Sequence, residues 1–284
     1  MLTADYNEVN DLDTNQLINL EDHRVQPPTI FYLHGGPGLG TAFERQRYPD
    51  ADNVHWWQQP SAVSCATQPY QDLLAAALAE FRLSVDMLGA PMTIMASSFG
   101  AHLAVHLARQ MPESIARIVL LAPTFDPEGA ALRLARHGLA LHAGEANAGK
   151  LEAALADYEA APGRARFWDV MGALWLLPNV ASLYFGPSCG DEPQVFAYLL
   201  QQPGVFDGPS SVATSDDFSA NAPVPVRSPY AGPVSVLFGE FDPMIDPAVD
   251  GPIWQAVFPQ AVIRTLPTGH FPLLELSIEA CLNA

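Results

Sequence analysis

A serine lies where the local pattern of the chain changes abruptly. Residues 91–95 (Pro-Met-Thr-Ile-Met) have strand-forming character, whereas residues 101–109 carry apolar side chains at helical spacing. Between them stand residues 96–100, Ala-Ser-Ser-Phe-Gly. This pattern is typical of a nucleophile elbow, a sharp strand-to-helix turn that exposes a serine hydroxyl. The next backbone N–H then faces the negative charge that develops in acyl transfer.

The sizes of the neighbouring side chains favour Ser98 over Ser97 as the nucleophile. The turn needs small residues two positions before and after the serine, because strand and helix nearly touch there. With Ser98 at the centre these residues are Ala96 and Gly100, whereas Ser97 at the centre would put Phe99 in the second position. The pentapeptide alone does not establish catalysis, since serines beside glycines are common in loops.

An acid and a base follow the serine in the chain. Asp242 comes directly after the apolar run 233–238, and His270 follows the run 261–266. The carboxyl ends of parallel strands meet at one edge of a sheet, so we expect these groups to lie close together. An imidazole can take the serine proton, and a carboxylate can orient the imidazole. The sequence therefore predicts a catalytic triad of Ser98, His270 and Asp242.

Other acids compete for the third position of the triad. Asp242 itself would serve only as a turn cap if its carboxylate bound the backbone near Pro243. Asp246 and Asp250 follow within a few residues, and Asp126 follows the apolar run that ends at position 121. The simplest interpretation of Asp126 is a helix cap.

The pattern predicts neither a metal site nor a disulfide framework. His102 and His106 are one helical turn apart and resemble a metal-binding pair, but no third ligand has a recognisable spacing. Cys65, Cys189 and Cys281 are far apart, odd in number and without Cys-x-x-Cys spacing. We expect three free thiols, with Cys65 as a remote alternative nucleophile.

A glycine-rich segment supplies a fourth part of the predicted site. Residues 34–38, His-Gly-Gly-Pro-Gly, follow the first strongly apolar run, 29–33. Glycines let the backbone approach a substrate closely. We therefore expect the N–H groups of Gly36 and Phe99 to form an oxyanion hole. The alternative interpretation is an ordinary glycine-rich turn after a strand.

Composition limits the partners of the protein. Of its 284 residues 49% are hydrophobic, which is enough for a large core. The 31 Asp and Glu against 13 Lys and Arg give a formal net charge of -18, which opposes binding to nucleic acid or to an anionic membrane. A solvated acidic surface explains this charge most simply, with weak steering of cationic substrates as the alternative. Since no leader-like or membrane-spanning run is apparent, we expect a cytoplasmic protein.

Strand-like runs alternate with helical patterns, which predicts an α/β fold with a mostly parallel, doubly wound sheet. Residues 1–124 and 233–284 are expected to form this core. Residues 125–232 change to alanine-rich helical stretches with interspersed aromatic side chains, and they are predicted to form an inserted helical lid. The polar residues 1–27 contain at most a short hairpin around 16–20.

Together these motifs resemble the α/β-hydrolase fold and, within it, the prolyl iminopeptidase-like branch. The resemblance covers about residues 29–276. It rests on the His-Gly-Gly-Pro-Gly segment, the Ser98 elbow, Gly-Glu-Phe-Asp at 239–242 and Gly-His at 269–270. It implies a serine hydrolase that needs no cofactor and whose lid shapes the substrate site, but it does not fix the substrate. We expect a small acyl compound or a short peptide as the substrate. No particular oligomeric state is predicted.

Two segments depart from that branch. Iminopeptidases usually carry Asp-Gln-Arg-Gly-x-Gly where this chain has Trp-Gln-Gln-Pro-Ser-Ala, at 57–62. Their lid carboxylates, in or near a Trp-Glu pair, hold the substrate amine, but here Leu176 follows Trp175. Trp168 and Trp175 are tentative substrate contacts on a mainly apolar lid wall, or else pack between lid helices. The acidic residues of the lid that might replace the missing carboxylate are Glu152, Asp157, Glu159 and Asp169.

The leading hypothesis is a serine hydrolase that cleaves a small ester, thioester or amide through an acyl-enzyme. One alternative is an aminopeptidase of the proline iminopeptidase type. Another is the same triad used for carbon–carbon bond hydrolysis, cyanohydrin cleavage, or biosynthetic acyl transfer or cyclisation, since one fold hosts many reactions. The third is a binding protein that keeps the pocket without catalysis.

Overall fold

The computed structural model describes residues 29–221 and 224–284, and the hairpin predicted around 16–20 lies outside these ranges. Six strands of the described residues form one sheet, and every pair of neighbours is parallel. The strands are β1 (Ile30–Leu33), β2 (Val54–Trp56), β3 (Met92–Ser97), β4 (Ile115–Leu121), β5 (Val234–Gly239) and β6 (Val262–Leu266). Their order across the sheet is β2-β1-β3-β4-β5-β6, which confirms the predicted parallel α/β sheet.

The α-helices connect and cover these strands. They are α1 (Ala42–Arg47), α2 (Pro69–Leu88), α3 (Gly100–Gln110), α4 (Pro127–Leu141), α5 (Ala148–Ala160), α6 (Arg164–Leu174), α7 (Glu192–Leu200), α8 (Gly208–Ala220), α9 (Pro247–Val257), α10 (Pro272–Glu275) and α11 (Ile278–Asn283). Short 3-10 helices occupy Ser61–Cys65, Pro112–Ser114 and Val180–Tyr184. Helices α4 to α8 all lie between β4 and β5 in the chain. No helix of the described ranges is both long and apolar enough to cross a membrane.

The inner strands are mainly apolar because helices cover both faces of the sheet. Successive side chains of a strand point to opposite faces. In β1, Phe31 and Leu33 belong to the cluster that contains buried residues of α2, α3 and α9. Ile30 and Tyr32 belong to the cluster that contains buried residues of α11. The edge strand β6 is largely exposed.

The segment from α4 to α8 (the helical segment) has an apolar cluster of its own. Leu134 of α4, Leu151 of α5 and Val170 of α6 are fully or almost fully buried there. Two further contacts fasten the helical segment to the sheet domain. Phe218 of α8 packs among core aromatic side chains, and Phe196 of α7 packs against Phe271, beside α10.

Candidate active site

The structure contains a sharp turn between β3 and α3, with Ser98 at its apex. Ser98 has a φ of 49°, in the left-handed region that non-glycine residues seldom adopt. A Cβ atom on Gly100 would lie 2.6 Å from the carbonyl oxygens of both Leu33 and His34. Strand β1 and helix α3 therefore nearly touch, which is the steric reason why a glycine follows the turn.

Ser98, His270 and Asp242 lie within hydrogen-bonding distance in the order that the sequence predicts. His270 Nε2 is 2.8 Å from Ser98 Oγ, and His270 Nδ1 is 2.7 Å from Asp242 Oδ2. The three residues are 7%, 2% and 6% exposed, respectively. A histidine between a hydroxyl and a buried carboxylate can remove the serine proton, because the carboxylate orients the ring and stabilises its cation.

Backbone contacts determine the position of Asp242. Its second oxygen, Oδ1, accepts a hydrogen bond of 2.8 Å from the backbone N–H of Met244. A Cβ atom on Gly239 would lie 2.1 Å from the carbonyl oxygen of Gly269. The loops after β5 and β6 are thus in direct contact, and this contact brings the acid beside the histidine.

The competing acids make other contacts. Asp246 caps α9 by accepting a hydrogen bond from the N–H of Ala248. Asp250 lies 3.1 Å from the Arg133 guanidinium. Asp126 caps α4, as its simplest interpretation predicts. None of these three bonds the imidazole of His270 in the part of the chain that the structure describes.

The two predicted oxyanion-hole residues lie beside the serine. Gly36, whose φ is 51°, and Phe99 line the same cavity as Ser98. A positive φ is easily adopted by glycine, so the loop can turn its backbone towards the cavity at this position. This placement suits two N–H donors that face the oxygen of a carbonyl group bound at Ser98.

Two glutamines, which the sequence pattern does not mark as functional, hold the glycine-rich loop and the residues directly after it. Gln59 is buried, and its Oε1 accepts a hydrogen bond of 3.0 Å from the N–H of Gly38. Gln58 Oε1 accepts one of 3.2 Å from the N–H of Thr41. These residues belong to the Trp-Gln-Gln-Pro-Ser-Ala segment, where the sequence departs from the iminopeptidase-like branch. The sequence alone did not indicate what this segment contacts.

His34, the first residue of that loop, is held as a neutral ring. Burial lowers the pKa of His34 to about 4. Its Nδ1 is 2.9 Å from the carbonyl oxygen of Gly35, and its Nε2 accepts a hydrogen bond of 3.3 Å from the N–H of Gln59. The ring also stacks on Trp57, with centroids 5.2 Å apart. These contacts require the proton on Nδ1, so the tautomer is set.

A cavity of about 500 Å³ opens at Ser98 between the strand ends and the helical segment. Its apolar walls include Leu132, Phe167, Met171 and Phe218. Hydroxyl groups of α8 also line it, at Ser211, Ser215 and Ser219. Such a mixture of apolar surface with a few polar groups is common in sites for small molecules.

The helical segment contributes a charged network to the cavity wall, in addition to the apolar side chains expected from the sequence. Arg164 donates to Glu128 at 2.6 Å and to Asp216 at 2.7 Å, and Tyr158 donates to Glu128 at 2.7 Å. Glu128, Tyr158 and Arg164 line the cavity together with Asp126. The lid acids considered in the sequence analysis, Glu152, Asp157, Glu159 and Asp169, are not among the lining residues.

The two tentative tryptophans occupy different places. Trp168 lines the cavity, and its Nε1 donates a hydrogen bond of 3.0 Å to Asp216. Trp175 is not among the lining residues; it is 45% exposed and stacks on Tyr184, with centroids 6.3 Å apart. The structure therefore brings Trp168 to the candidate site and leaves Trp175 outside it.

His102, the first histidine of the pair on α3, packs in the core. His102 is buried beside Phe99 and Phe218, and its burial lowers the pKa to about 4. The described residues hold no cluster of three or more metal-binding side chains. The three cysteines are free, and Cys65 is exposed away from the Ser98 cavity lining.

Comparison with solved structures finds the same fold in proteins of low sequence identity. A 2-hydroxy-6-oxo-6-phenylhexa-2,4-dienoate hydrolase from a Rhodococcus strain is 15% identical, with a TM-score of 0.54 and 92% of each chain covered. A putative non-heme bromoperoxidase from Mycobacterium tuberculosis is 17% identical, with a TM-score of 0.58 and 90% of each chain covered. The enol-lactonase from Burkholderia xenovorans is 16% identical, with a TM-score of 0.55, covering 90% of this chain and 89% of that one.

These likenesses establish the fold alone and do not support the iminopeptidase-like branch over other branches. No curated protein matches the chain in sequence. The family model described as the alpha/beta hydrolase fold matches residues 60–275, from the loop after β2 to the end of α10. This match supports an enzyme of the hydrolase type. Since it spans well over half of the chain, the protein belongs to the alpha/beta hydrolase fold family.

Proposed function

We propose that the protein is a serine hydrolase that cleaves a small ester, thioester or amide through an acyl-enzyme. The observation that carries this proposal is the hydrogen-bonded series Ser98, His270, Asp242, which opens into the cavity of about 500 Å³. Burial of the series keeps bulk water from competing for its hydrogen bonds. The helical segment acts as a lid that forms the far wall of the cavity.

The mechanism follows from the positions of the atoms. His270 Nε2 takes the proton of Ser98 Oγ as that oxygen attacks the substrate carbonyl. The N–H groups of Gly36 and Phe99 stabilise the oxyanion. His270 then protonates the leaving group, and water enters to hydrolyse the acyl-enzyme by the same steps in reverse. Asp242 keeps Nδ1 protonated throughout and stabilises the imidazolium.

The test compares Ser98→Ala with Ser97→Ala on acyl p-nitrophenyl esters of several chain lengths. We expect Ser98→Ala to lower kcat by on the order of 10³-fold or more, because the nucleophile is lost. Ser97 is the matched control, since its hydroxyl lies 2.9 Å from the Tyr32 hydroxyl and does not contact His270. Full turnover by Ser98→Ala protein would refute the proposal. Adding an alcohol nucleophile separates hydrolysis from acyl transfer by the products formed.

A second candidate is an aminopeptidase, and the carboxylates of Asp126 and Glu128 in the cavity favour it. The two carboxylates would attract a protonated substrate amine. One of them, Glu128, also pairs with Arg164. Aminoacyl anilides, including an L-prolyl anilide, should be run beside the esters. Glu128→Gln should then raise KM for the anilides while leaving KM for the uncharged esters nearly unchanged. Activity on esters with none on anilides would eliminate this candidate.

A further inference from the structure

The loop that carries His270 is bound by a carboxylate that the mechanism does not use. Glu275 lies at the end of α10, five residues after His270. Its Oε1 accepts a hydrogen bond of 2.7 Å from the N–H of Gly269, the residue before the histidine. Its Oε2 accepts one of 3.0 Å from the N–H of Gly186, which belongs to the helical segment. One side chain thus holds the histidine loop and the helical segment together.

The backbones that Glu275 joins are in direct contact. The N–H of His270 donates a hydrogen bond of 2.6 Å to the carbonyl oxygen of Tyr184. A Cβ atom on Gly269 would lie 2.4 Å from that same oxygen. A Cβ atom on Gly186 would lie 3.2 Å from the N–H nitrogen of Gly269 and 2.8 Å from Glu275 Oε2. Close approach of backbone atoms therefore requires glycine at position 269, whereas a side chain at position 186 would displace the Glu275 carboxylate.

The contacts of Glu275 explain why this position holds a carboxylate. Within residues 29–221 and 224–284 it forms no salt bridge with a basic side chain. Its two oxygens instead accept from two backbone N–H groups, and N–H bonds to a charged acceptor are stronger than bonds to a neutral one. A glutamine has one acceptor oxygen, so it can serve only one of the two donors.

We propose that Glu275 is a positioning residue that couples docking of the helical segment to the alignment of His270 with Ser98. This inference rests on the proposed function, because His270 must be the general base for its alignment to matter. When the helical segment is seated, both oxygens of Glu275 are bound and the imidazole is held in line with Ser98 Oγ. Loss of either hydrogen bond lets the histidine loop shift. The residues that line the cavity are not themselves altered, because neither Glu275 nor Gly186 is among them.

The first test is Glu275→Gln, with Glu279→Gln as the matched control. Glu279 is exposed on α11, so its substitution removes the same charge without touching either loop. We expect Glu275→Gln to lower kcat by on the order of 10- to 100-fold, because a displacement of about 1 Å at a general base has effects of that size. KM should change by less than about 3-fold, since ground-state binding is intact. The rate at which an organophosphonate probe reacts covalently with Ser98 should fall in parallel with kcat.

The second test is a double-mutant cycle with Gly186→Ala. The added methyl group displaces the Glu275 carboxylate from the side of the helical segment, without removing either oxygen of Glu275. Gly186→Ala should reproduce the fall in kcat, and the double variant should be hardly slower than either single variant. Thermal unfolding of each variant checks that the protein is folded. If Glu275→Gln protein does not fold, Gly186→Ala carries the same comparison with Glu275 in place.

The outcomes separate this inference from the proposed function. An unchanged kcat in folded Glu275→Gln protein, or full additivity in the cycle, would overturn the coupling even though Ser98-dependent turnover remains. An absence of Ser98-dependent turnover in the unmodified protein would overturn the proposed function instead. In that case hydrogen exchange still tests the clamp: the amides of Gly186, Gly269 and His270 should exchange faster in Glu275→Gln protein than in Glu279→Gln protein.

Discussion

The strand-end loops and the helical segment both line the cavity, but they hold their polar side chains in different ways. In the loops, Ser98, Asp242 and His270 are at most 7% exposed, and backbone contacts set their positions. In the helical segment, Glu128 and Arg164 are a quarter or more exposed and are held by other side chains. Under the proposed function, the groups that carry the chemistry thus have little freedom, whereas the charged groups that would meet the substrate are more exposed and are held by side chains alone.

The largest expected effect comes from the acid of the strand-end loops. Asp242→Asn should lower kcat by on the order of 10⁴-fold, because an amide no longer holds the reactive tautomer of His270. The control is Asp246→Asn, which keeps a side-chain oxygen that can cap α9. Steady-state kinetics on the best ester of the panel measures both variants. Equal kcat values for them would remove the distinction between a fixed catalytic group and its neighbours.

A pair of glycine substitutions tests how much freedom each region has. Gly100→Ala should destabilise the protein by about 3 kcal/mol, because the new methyl group meets two backbone oxygens. A Cβ atom at Gly172, an exposed position of α6, meets no atom within 4 Å. Gly172→Ala should stabilise the protein by about 0.5 to 1 kcal/mol through helix propensity. Urea unfolding of the two variants measures the difference, and similar changes would contradict the comparison.

A buried carboxyl group beside the sheet, on α1, should make the stability of the protein depend on pH. Burial raises the pKa of Glu44, on α1, to about 7. Between its unfolded value and about 7 the folded state keeps a proton that the unfolded chain releases. The contribution of Glu44 to the unfolding free energy therefore falls as pH rises through this window, by up to about 1.4 kcal/mol per unit. The contribution of protonated Glu44 is fully present at lower pH.

Glu44→Gln removes this contribution. From pH 5.5 to pH 8 the unfolding free energy of the unmodified protein should fall by about 2 kcal/mol relative to that of Glu44→Gln protein. Glu159→Gln is the counterpart on α5, where the carboxylate is 57% exposed beside Arg136. Its difference from the unmodified protein should stay within about 0.5 kcal/mol. A pH-independent difference for Glu44→Gln would show that Glu44 is not the buried titrating group.

The smallest expected effect separates the two tryptophans of the helical segment. Trp168→Phe loses the hydrogen bond by which Asp216 holds this cavity-lining ring, so KM should rise by about 3- to 10-fold with kcat nearly unchanged. Trp175→Phe should change neither constant, because Trp175 lies outside the cavity. Equal effects on KM would mean that the helical segment contacts substrate over a wider surface than the cavity indicates.

Much of the sheet domain could be predicted from the sequence because its signals are local. Short apolar runs mark the strands, and the predicted runs at 29–33, 91–95, 233–238 and 261–266 each overlap a strand of the sheet. The elbow was recognisable because the small residue that the turn requires, Gly100, lies within the pentapeptide itself. The rule that parallel strands end at one edge then brought Asp242 and His270 together before any distance was known.

The helical segment shows where such reasoning ends. Its helices share buried faces with one another, so the pattern of Trp168 and Trp175 is compatible with either one facing the substrate. The roles of Gln59 and Glu275 were not apparent because their partners are backbone N–H groups, which every residue but proline carries and which leave no trace in the sequence. The residue types of the predicted triad were thus determined by the chain alone. Tertiary packing decided the hydrogen bonds of the triad, the cavity wall opposite it and the contacts of Glu275 with the histidine loop. Only packing sets the distances between segments that are remote in sequence.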